Sequence, residues 1–186
     1  MKKRLLLHVC CAPCAVYVYQ KLSEDYDVTC FFYNPNIQPA REYQSRKKEL
    51  ERIASMNQWD VLYGDYDLNR WFQQVKGHEK DPERGERCSI CFHMRLEKAF
   101  EYARTKGFDT VASTLSISPY KVTRQINAQG EKLSRTFDIE FLPENFKKQN
   151  GYHIGKKMAV EMGIKHQVYC GCLYSKAEKK RKQTQK

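Results

Sequence analysis

Leu5-Leu6-Leu7-His8-Val9-Cys10-Cys11-Ala12-Pro13-Cys14 is apolar at almost every position until it stops at two adjacent cysteines and a proline. Continuous rather than alternating apolarity marks a strand buried on both faces, as strands of parallel sheets are. A first strand is therefore predicted over residues 4–9. Pro13 suits the first turn of a helix, because its fixed φ is already helical and its missing N–H has no intrahelical partner to lose there. A helix from Pro13 to about Leu22 follows, and three thiols arrive at the junction of strand and helix. The partial positive charge of a helix N-terminus favours thiolate, the form of cysteine that binds metal or attacks an electrophile.

Outward from this junction, strands and helices alternate. Val28-Thr29-Cys30-Phe31-Phe32-Tyr33 is β-branched and aromatic, a second strand closed by Asn34-Pro35-Asn36, with Cys30 reading as a small core residue. Ala40 to Met56 reads as a helix with Tyr43, Leu50, Ile53 and Met56 on one stripe, and Trp59 to Tyr63 as a third strand. A short helix near residues 68–75 precedes a charged loop from Lys76 to Arg87. From Cys88-Ser89-Ile90-Cys91 a helix runs to Lys106 over the stripe Phe92, Leu96, Phe100 and Ala103, and Gly107 ends it. A fourth strand (Thr110 to Leu115), a loop (Ser116 to Tyr120), a helix (Lys121 to about Leu133), a fifth strand (Ile139 to Leu142) and a helix (Tyr152 to Met162) complete the pattern.

Such alternation predicts an α/β fold, a doubly wound and mainly parallel sheet of about five strands with helices on both faces. Residues 1–175 read as a single catalytic domain and 176–186 as a basic C-terminal tail. Ligands of such sheets bind at the carboxyl ends of the strands, where strand order reverses. The segments after strands one, two and four (residues 10–11, 34–39 and 116–120) are thus expected at one rim.

Composition narrows the chemistry. A length of 186 residues supports a real core without staples. No apolar run approaches the roughly 20 residues that span a bilayer. Met1-Lys2-Lys3-Arg4 and the apolar residues after it lack the long apolar region and cleavage site of a signal peptide, so the expectation is cytoplasmic, with no membrane partner. The formal net charge is +11, and six cations against one carboxylate in residues 176–186 supply +5 of it. Basic surfaces attract polyanions, which makes nucleic acid the leading partner class. The strand-one turn lacks the glycine-rich loop of phosphate binders and the Ser-Gly-Gly run of nucleotide-activating enzymes, and no Ser-His-Asp arrangement is evident. His8, between Leu7 and Val9, reads as a hydrogen-bonded core histidine, with proton donation near the site as the second role.

Eight cysteines in a cytosolic chain, at paired short spacings, point to metal or redox chemistry rather than structural disulfides. Cys88 and Cys91 are three apart at a helix start and point the same way. With Cys10 and Cys11 they make a Cys₄ set suited to zinc or an iron–sulfur cluster. Adjacent cysteines suit a bulky [4Fe–4S] cluster better than one tetrahedral ion. Cys14 remains a spare ligand, a site for a second metal, or a buried small residue. A disulfide across Cys170-Gly171-Cys172 would be strained and easily reduced, which suits electron transfer, although two further metal ligands are the rival use.

Five segments together carry a family resemblance: residues 7–14 (Leu-His-Val-Cys-Cys-Ala-Pro-Cys), Tyr33-Asn34-Pro35-Asn36-Ile37, Arg87-Cys88-Ser89-Ile90-Cys91-Phe92, residues 113–120 (Ser-Thr-Leu-Ser-Ile-Ser-Pro-Tyr) and Tyr169-Cys170-Gly171-Cys172. The chain resembles the cobalamin-independent epoxyqueuosine reductases, the QueH family. The resemblance implies a HUP-type, Rossmann-like fold and an oxidoreductase that reduces epoxyqueuosine to queuosine at the wobble position of tRNA. It implies that Cys10, Cys11, Cys88 and Cys91 hold a [4Fe–4S] cluster and that Cys170 and Cys172 form the catalytic, redox-active pair. An additional iron and an external electron donor complete the expectation. A splayed anticodon-loop base would stack on aromatic side chains, with Tyr33, Tyr120 and Tyr169 as candidates and Arg124, Lys147 and Lys148 as phosphate contacts. The alternatives are a zinc-stabilised tRNA-binding module, a metal-free thiol–disulfide oxidoreductase and a sulfur-transfer protein.

Overall fold

A computed structural model describes residues 1–184. Five strands, β1 (Lys3–His8), β2 (Tyr26–Phe32), β3 (Asp60–Tyr63), β4 (Thr110–Ser113) and β5 (Glu140–Phe141), form one sheet in the order β3-β2-β1-β4-β5. Every pairing is parallel. Leu5 and Leu7 join one apolar cluster and Leu6 another, so β1 is covered on both faces, as its unbroken apolar run requires.

Helices α1 (Ala12–Ser23), α2 (Ala40–Asn57), α3 (Leu68–Gln74), α4 (Glu86–Lys106), α5 (Thr123–Phe137), α6 (Gly151–Glu161) and α7 (Leu173–Thr184) complete the chain. One apolar cluster joins α4 and α5 to Leu6, Phe31 and Val111, and another lies between α1, α2 and the opposite side of the same strands. Gly130 lets α5 lie directly on β5, since a Cβ there would stand 2.3 Å from the Phe141 ring. No helix among the described residues is long and apolar enough to cross a membrane.

Among the departures from the pattern reading are the end of β4 and the C-terminal segment. β4 stops at Ser113, because the Ser113 hydroxyl accepts from the Leu115 N–H and turns residues 114–117 into a 3₁₀ turn. The basic segment that composition marks as a tail is helical through Thr184, and its last two residues lie outside the described ones.

Candidate active site

Strand order reverses between β1 and β4, so their carboxyl ends open the crevice where ligands of doubly wound sheets bind. Cys10 and Cys11 stand there. Cys11 is the N-cap of α1 with extended backbone (φ −171°, ψ 156°), and Cys14 lies one turn into the helix. The Cys10 and Cys11 sulfurs are 3.6 Å apart, and those of Cys10, Cys11 and Cys14 all lie within 4.8 Å of one another. Thr114, just after β4, closes the crevice: the Cys10 N–H donates to its Oγ1 (3.3 Å), and its hydroxyl donates to Cys10 Sγ (3.7 Å).

Two further cysteine pairs border this group. Cys88 and Cys91 occupy the first turns of α4, where the Arg84 N–H donates to Cys88 Sγ at 3.3 Å. Cys91 belongs to the same buried apolar cluster as Cys10, Cys11 and Cys172, with Cys14 and Cys88 packed against it. Neither Cys88 nor Cys91 joins the set of sulfurs within 4.8 Å, which among the described residues holds Cys10, Cys11 and Cys14 alone. Cys172 starts α7: its carbonyl accepts from the Lys176 N–H (3.1 Å) and its sulfur from the Ser175 N–H (3.3 Å). The Ser175 hydroxyl accepts from the Cys170 N–H and donates to Glu83. Three helix N-termini thus present cysteines to one region, and all eight cysteines are free thiols.

Electrostatics divide these thiols. Hydrogen bonds from Cys11 and Cys14 pull Cys10 well below its ordinary pKa against the effect of burial, and the charges of Lys121 and Arg95 help. Sharing with Cys10 pushes Cys11 up to about 12 and Cys14 well above its usual value. Of the three sulfurs, Cys10 is thus the one that ionises most readily. Burial pushes Cys88 up to about 12 and raises Cys91 and Cys172 as well. Half-buried Lys121 experiences the reverse. Burial opposes its charge, but the negative charge that neighbouring cysteine sulfurs can carry outweighs that and raises its pKa.

His8 takes the core role. Its Nε2 lies 3.2 Å from the Tyr33 carbonyl, which can only accept, so Nε2 carries the proton and Nδ1 accepts from the Ser113 hydroxyl at 3.0 Å. Burial, and then the charge of Arg95, lower its pKa to about 3 and keep the ring neutral. Tyr33 is fully buried with its hydroxyl on Asp67, so this candidate for base stacking is a core residue. Tyr169 is half-buried and donates to the Gln38 carbonyl, whereas Tyr120 is 65% exposed. Both border a cavity of about 320 Å³ lined by Cys10, Cys11, Cys14 and Cys170, with Lys121, Lys179 and Lys182 among its cations. Arg124 and Lys148 are exposed, and Lys147 donates to the Lys121 carbonyl at 3.0 Å.

Sequence reasoning missed the buried arginines. Arg46 donates to Glu42 (2.8 Å), to the Cys170 carbonyl (3.1 Å) and to the Tyr169 carbonyl (3.2 Å), which ties the Cys-Gly-Cys segment to α2. Arg95 lies one turn beyond Cys91 on the same helix face. A signal was available for both, because each interrupts an apolar stripe: Arg46 between Tyr43 and Leu50, Arg95 between Phe92 and Ala99.

Comparison with known proteins agrees with this architecture. A family model described as epoxyqueuosine reductase QueH matches residues 5–178. The chain is 39% identical over 181 residues to the epoxyqueuosine reductase QueH of Streptococcus pyogenes, with 94% of this chain and 71% of the relative covered. Its Haemophilus influenzae counterpart is 41% identical over 174 residues (92% and 71% covered), and that of Thermotoga maritima 34% identical over 181 residues (96% and 93%). Among solved structures, the U34-tRNA thiolase NcsA of Methanococcus maripaludis with its [4Fe–4S] cluster superposes with a TM-score of 0.60 at 10% identity, covering 94% of this chain and 61% of that one. A predicted subunit of tRNA methyltransferase from Methanocaldococcus jannaschii gives 0.51 at 11% identity (86% and 89% covered). At such identities these two likenesses concern the fold.

Proposed function

Because the chain belongs to the epoxyqueuosine reductase QueH family, it is an oxidoreductase that reduces epoxyqueuosine to queuosine in tRNA, and we propose that the thiol-lined cavity is where it does so. In this reading Cys10, Cys11, Cys88 and Cys91 hold a [4Fe–4S] cluster, and Cys170 with Cys172 is the redox pair. Cys14 is available to an additional iron, and an external donor supplies the electrons. Residues 1–175 act as the catalytic unit, with the basic stretch 176–186 as its extension toward RNA.

The donor set suits the cluster in kind. Iron–sulfur clusters take cysteine thiolates, usually four, and Cys10, Cys11 and Cys91 share one apolar cluster with Cys88 packed against it. Lys121 and Arg95 lie close enough to offset negative sulfur. When bound, the cluster would supply electrons one at a time.

The chain's own residues do the rest. Removing an epoxide oxygen to leave an alkene and water consumes two electrons and two protons. A Cys170/Cys172 dithiol closing to a disulfide releases both pairs, so epoxide plus dithiol balances alkene, disulfide and water. Lys121, at the cavity wall, is the cation placed to hold the departing oxygen's proton. Tyr120 offers an exposed ring on which a splayed base can stack.

The convergence of Cys10, Cys11 and Cys14 at the sheet's crevice carries this reading. Its test is anaerobic reconstitution with iron and sulfide, incubation with tRNA bearing epoxyqueuosine plus a reductant, and nucleoside analysis. Conversion to queuosine by the wild type, lost with iron in Cys88→Ser or Cys91→Ser, is the expected result. A colourless, zinc-loaded protein that binds tRNA without converting it would replace this reading with that of a zinc-stabilised module.

A further inference from the structure

Arg95 is 1% exposed and, among the described residues, has no carboxylate partner. Its one hydrogen bond runs from Nη2 to Asn34 Oδ1 (2.5 Å), and Asn34 is itself oriented by donating to the Val9 carbonyl (2.9 Å). Arg95 Nε has no partner, and neither does the buried indole N–H of Trp71. Removing an unpaired guanidinium from water is costly, and two orphaned buried donors in one place need an explanation. Arg95 lies one turn beyond Cys91 on the same face of α4, and Trp71 shares a buried apolar cluster with Cys91, so both orphaned donors sit in the neighbourhood of that sulfur and favour its thiolate against burial. The Arg95 charge also acts on Cys10, from the other cysteine pair, and on His8, which stays neutral and offsets nothing.

Resting on the cluster reading above, we propose that Arg95 is the resident counter-charge of the sulfur centre. Its charge acts on both the Cys10 and the Cys91 sides of the ligand set, with Trp71 as a second donor beside Cys91. Each electron added to the centre adds negative charge, so a fixed cation beside it makes reduction easier. Charge and hydrogen bonds at cluster sulfurs are the terms that set such potentials. Arg95 is thus a positioning and tuning residue, with no contact to tRNA required of it.

The test uses the full chain as wild type, Arg95→Met, Arg95→Lys and Trp71→Phe. It measures iron and sulfide content, the midpoint potential of the reconstituted protein, and thermal midpoints with and without iron and sulfide. Arg95→Met should shift the potential to more negative values. Arg95→Lys, which keeps the charge and stands in where Arg95→Met fails to fold, should shift it less. Trp71→Phe, which removes a donor but no charge, should give a smaller shift in the same direction. Arg95→Met should also lower the thermal midpoint more in the loaded than in the metal-free protein, whereas an arginine that only packs would lower both equally. Equal losses in the two forms with an unchanged potential overturn the assignment of Arg95 while the cluster reading stands. A wild type that takes up no iron and sulfide overturns the cluster reading, and this assignment with it.

Discussion

Gly171 is the hinge on which the Cys-Gly-Cys segment is placed, and Gly171→Ala tests that placement. Its φ of +122° is a conformation that side chains disfavour. A Cβ there would stand 2.9 Å from Ile37 Cγ1 and 3.3 Å from Arg46 Nη1. Ile37 and Arg46 are both buried, so neither can move aside freely. The backbone term costs about 1–3 kcal/mol and the overpacking about as much again, so the substitution should cost about 2–6 kcal/mol. That strain acts on a local dock rather than on the sheet. The Gly171 carbonyl accepts from the Gln38 N–H (2.9 Å), the Tyr169 hydroxyl donates to the Gln38 carbonyl (2.7 Å), and the Leu173 N–H donates to Gln38 Oε1 (3.1 Å). Amide hydrogen exchange should therefore accelerate at Gln38, Leu173 and Ser175, by about a hundredfold for about 3 kcal/mol, with β1 and β2 unchanged and turnover lost. Gly163→Ala is the control. Its φ is +67° but no atom lies within 4 Å of the new methyl group, so it carries backbone strain alone. Equal effects of the two substitutions, or undisturbed Gln38 protection in Gly171→Ala, would refute the reasoning.

Gly130→Ala should push α5 away from Phe141 and lower the thermal midpoint by about 4–12 °C, corresponding to about 2–3 kcal/mol, as a melting curve will show. Burial raises the pKa of the Cys30 thiol well above its ordinary value of 9.0. The unfolded chain therefore loses this proton first as pH climbs past 9, and native stability falls there by up to about 1.4 kcal/mol per pH unit. Cys30→Ala should remove that part of the alkaline slope in denaturant titrations, and a slope identical to wild type counts against it. Tyr120→Ala should weaken tRNA binding by about 1–3 kcal/mol, the usual worth of one base–aromatic stack. Tyr120→Phe should bind normally, and unchanged affinity in the alanine variant would remove Tyr120 from the RNA surface.

Legibility followed the physics of each segment. β1 and its turn were readable because unbroken apolarity, adjacent cysteines and Pro13 each restrict the backbone, and all of them agree. The ends of β4 and α5 were not, because single side chains set them: Ser113 turns the chain out of the strand, and Asp138 stops α5 in a left-handed conformation (φ 54°). Spacing brought Cys10 and Cys11 together, and it also left Cys14 one turn away, where the helix returns it to the same point. The distance from these sulfurs to Cys88 and Cys91 depends on how α4 seats against the sheet, which no local spacing encodes. Arg46 and Arg95 escaped for a different reason. Periodicity seeks apolar residues in a stripe, while a charge inside the stripe is where a buried site must be neutralised.

The crevice also explains why this sheet presents sulfur where similar sheets hold phosphate. A phosphate at a strand-to-helix turn is bound by free backbone N–H groups at the positive end of the helix. Here the Cys10 N–H is already donated to Thr114, and Pro13 has none to offer. Cys10 and Cys11 fill the space that glycines would leave for an oxyanion. The helix end keeps its field but two of the donors such a turn would offer are withdrawn, which favours a charge carried by the chain itself. Cys10, drawn down by Cys11 and Cys14, is that charge. The cations that act on it (Lys121 at the cavity wall and buried Arg95) then have a partner that no carboxylate supplies, and the turn offers clustered sulfur where a nucleotide site would offer free N–H groups.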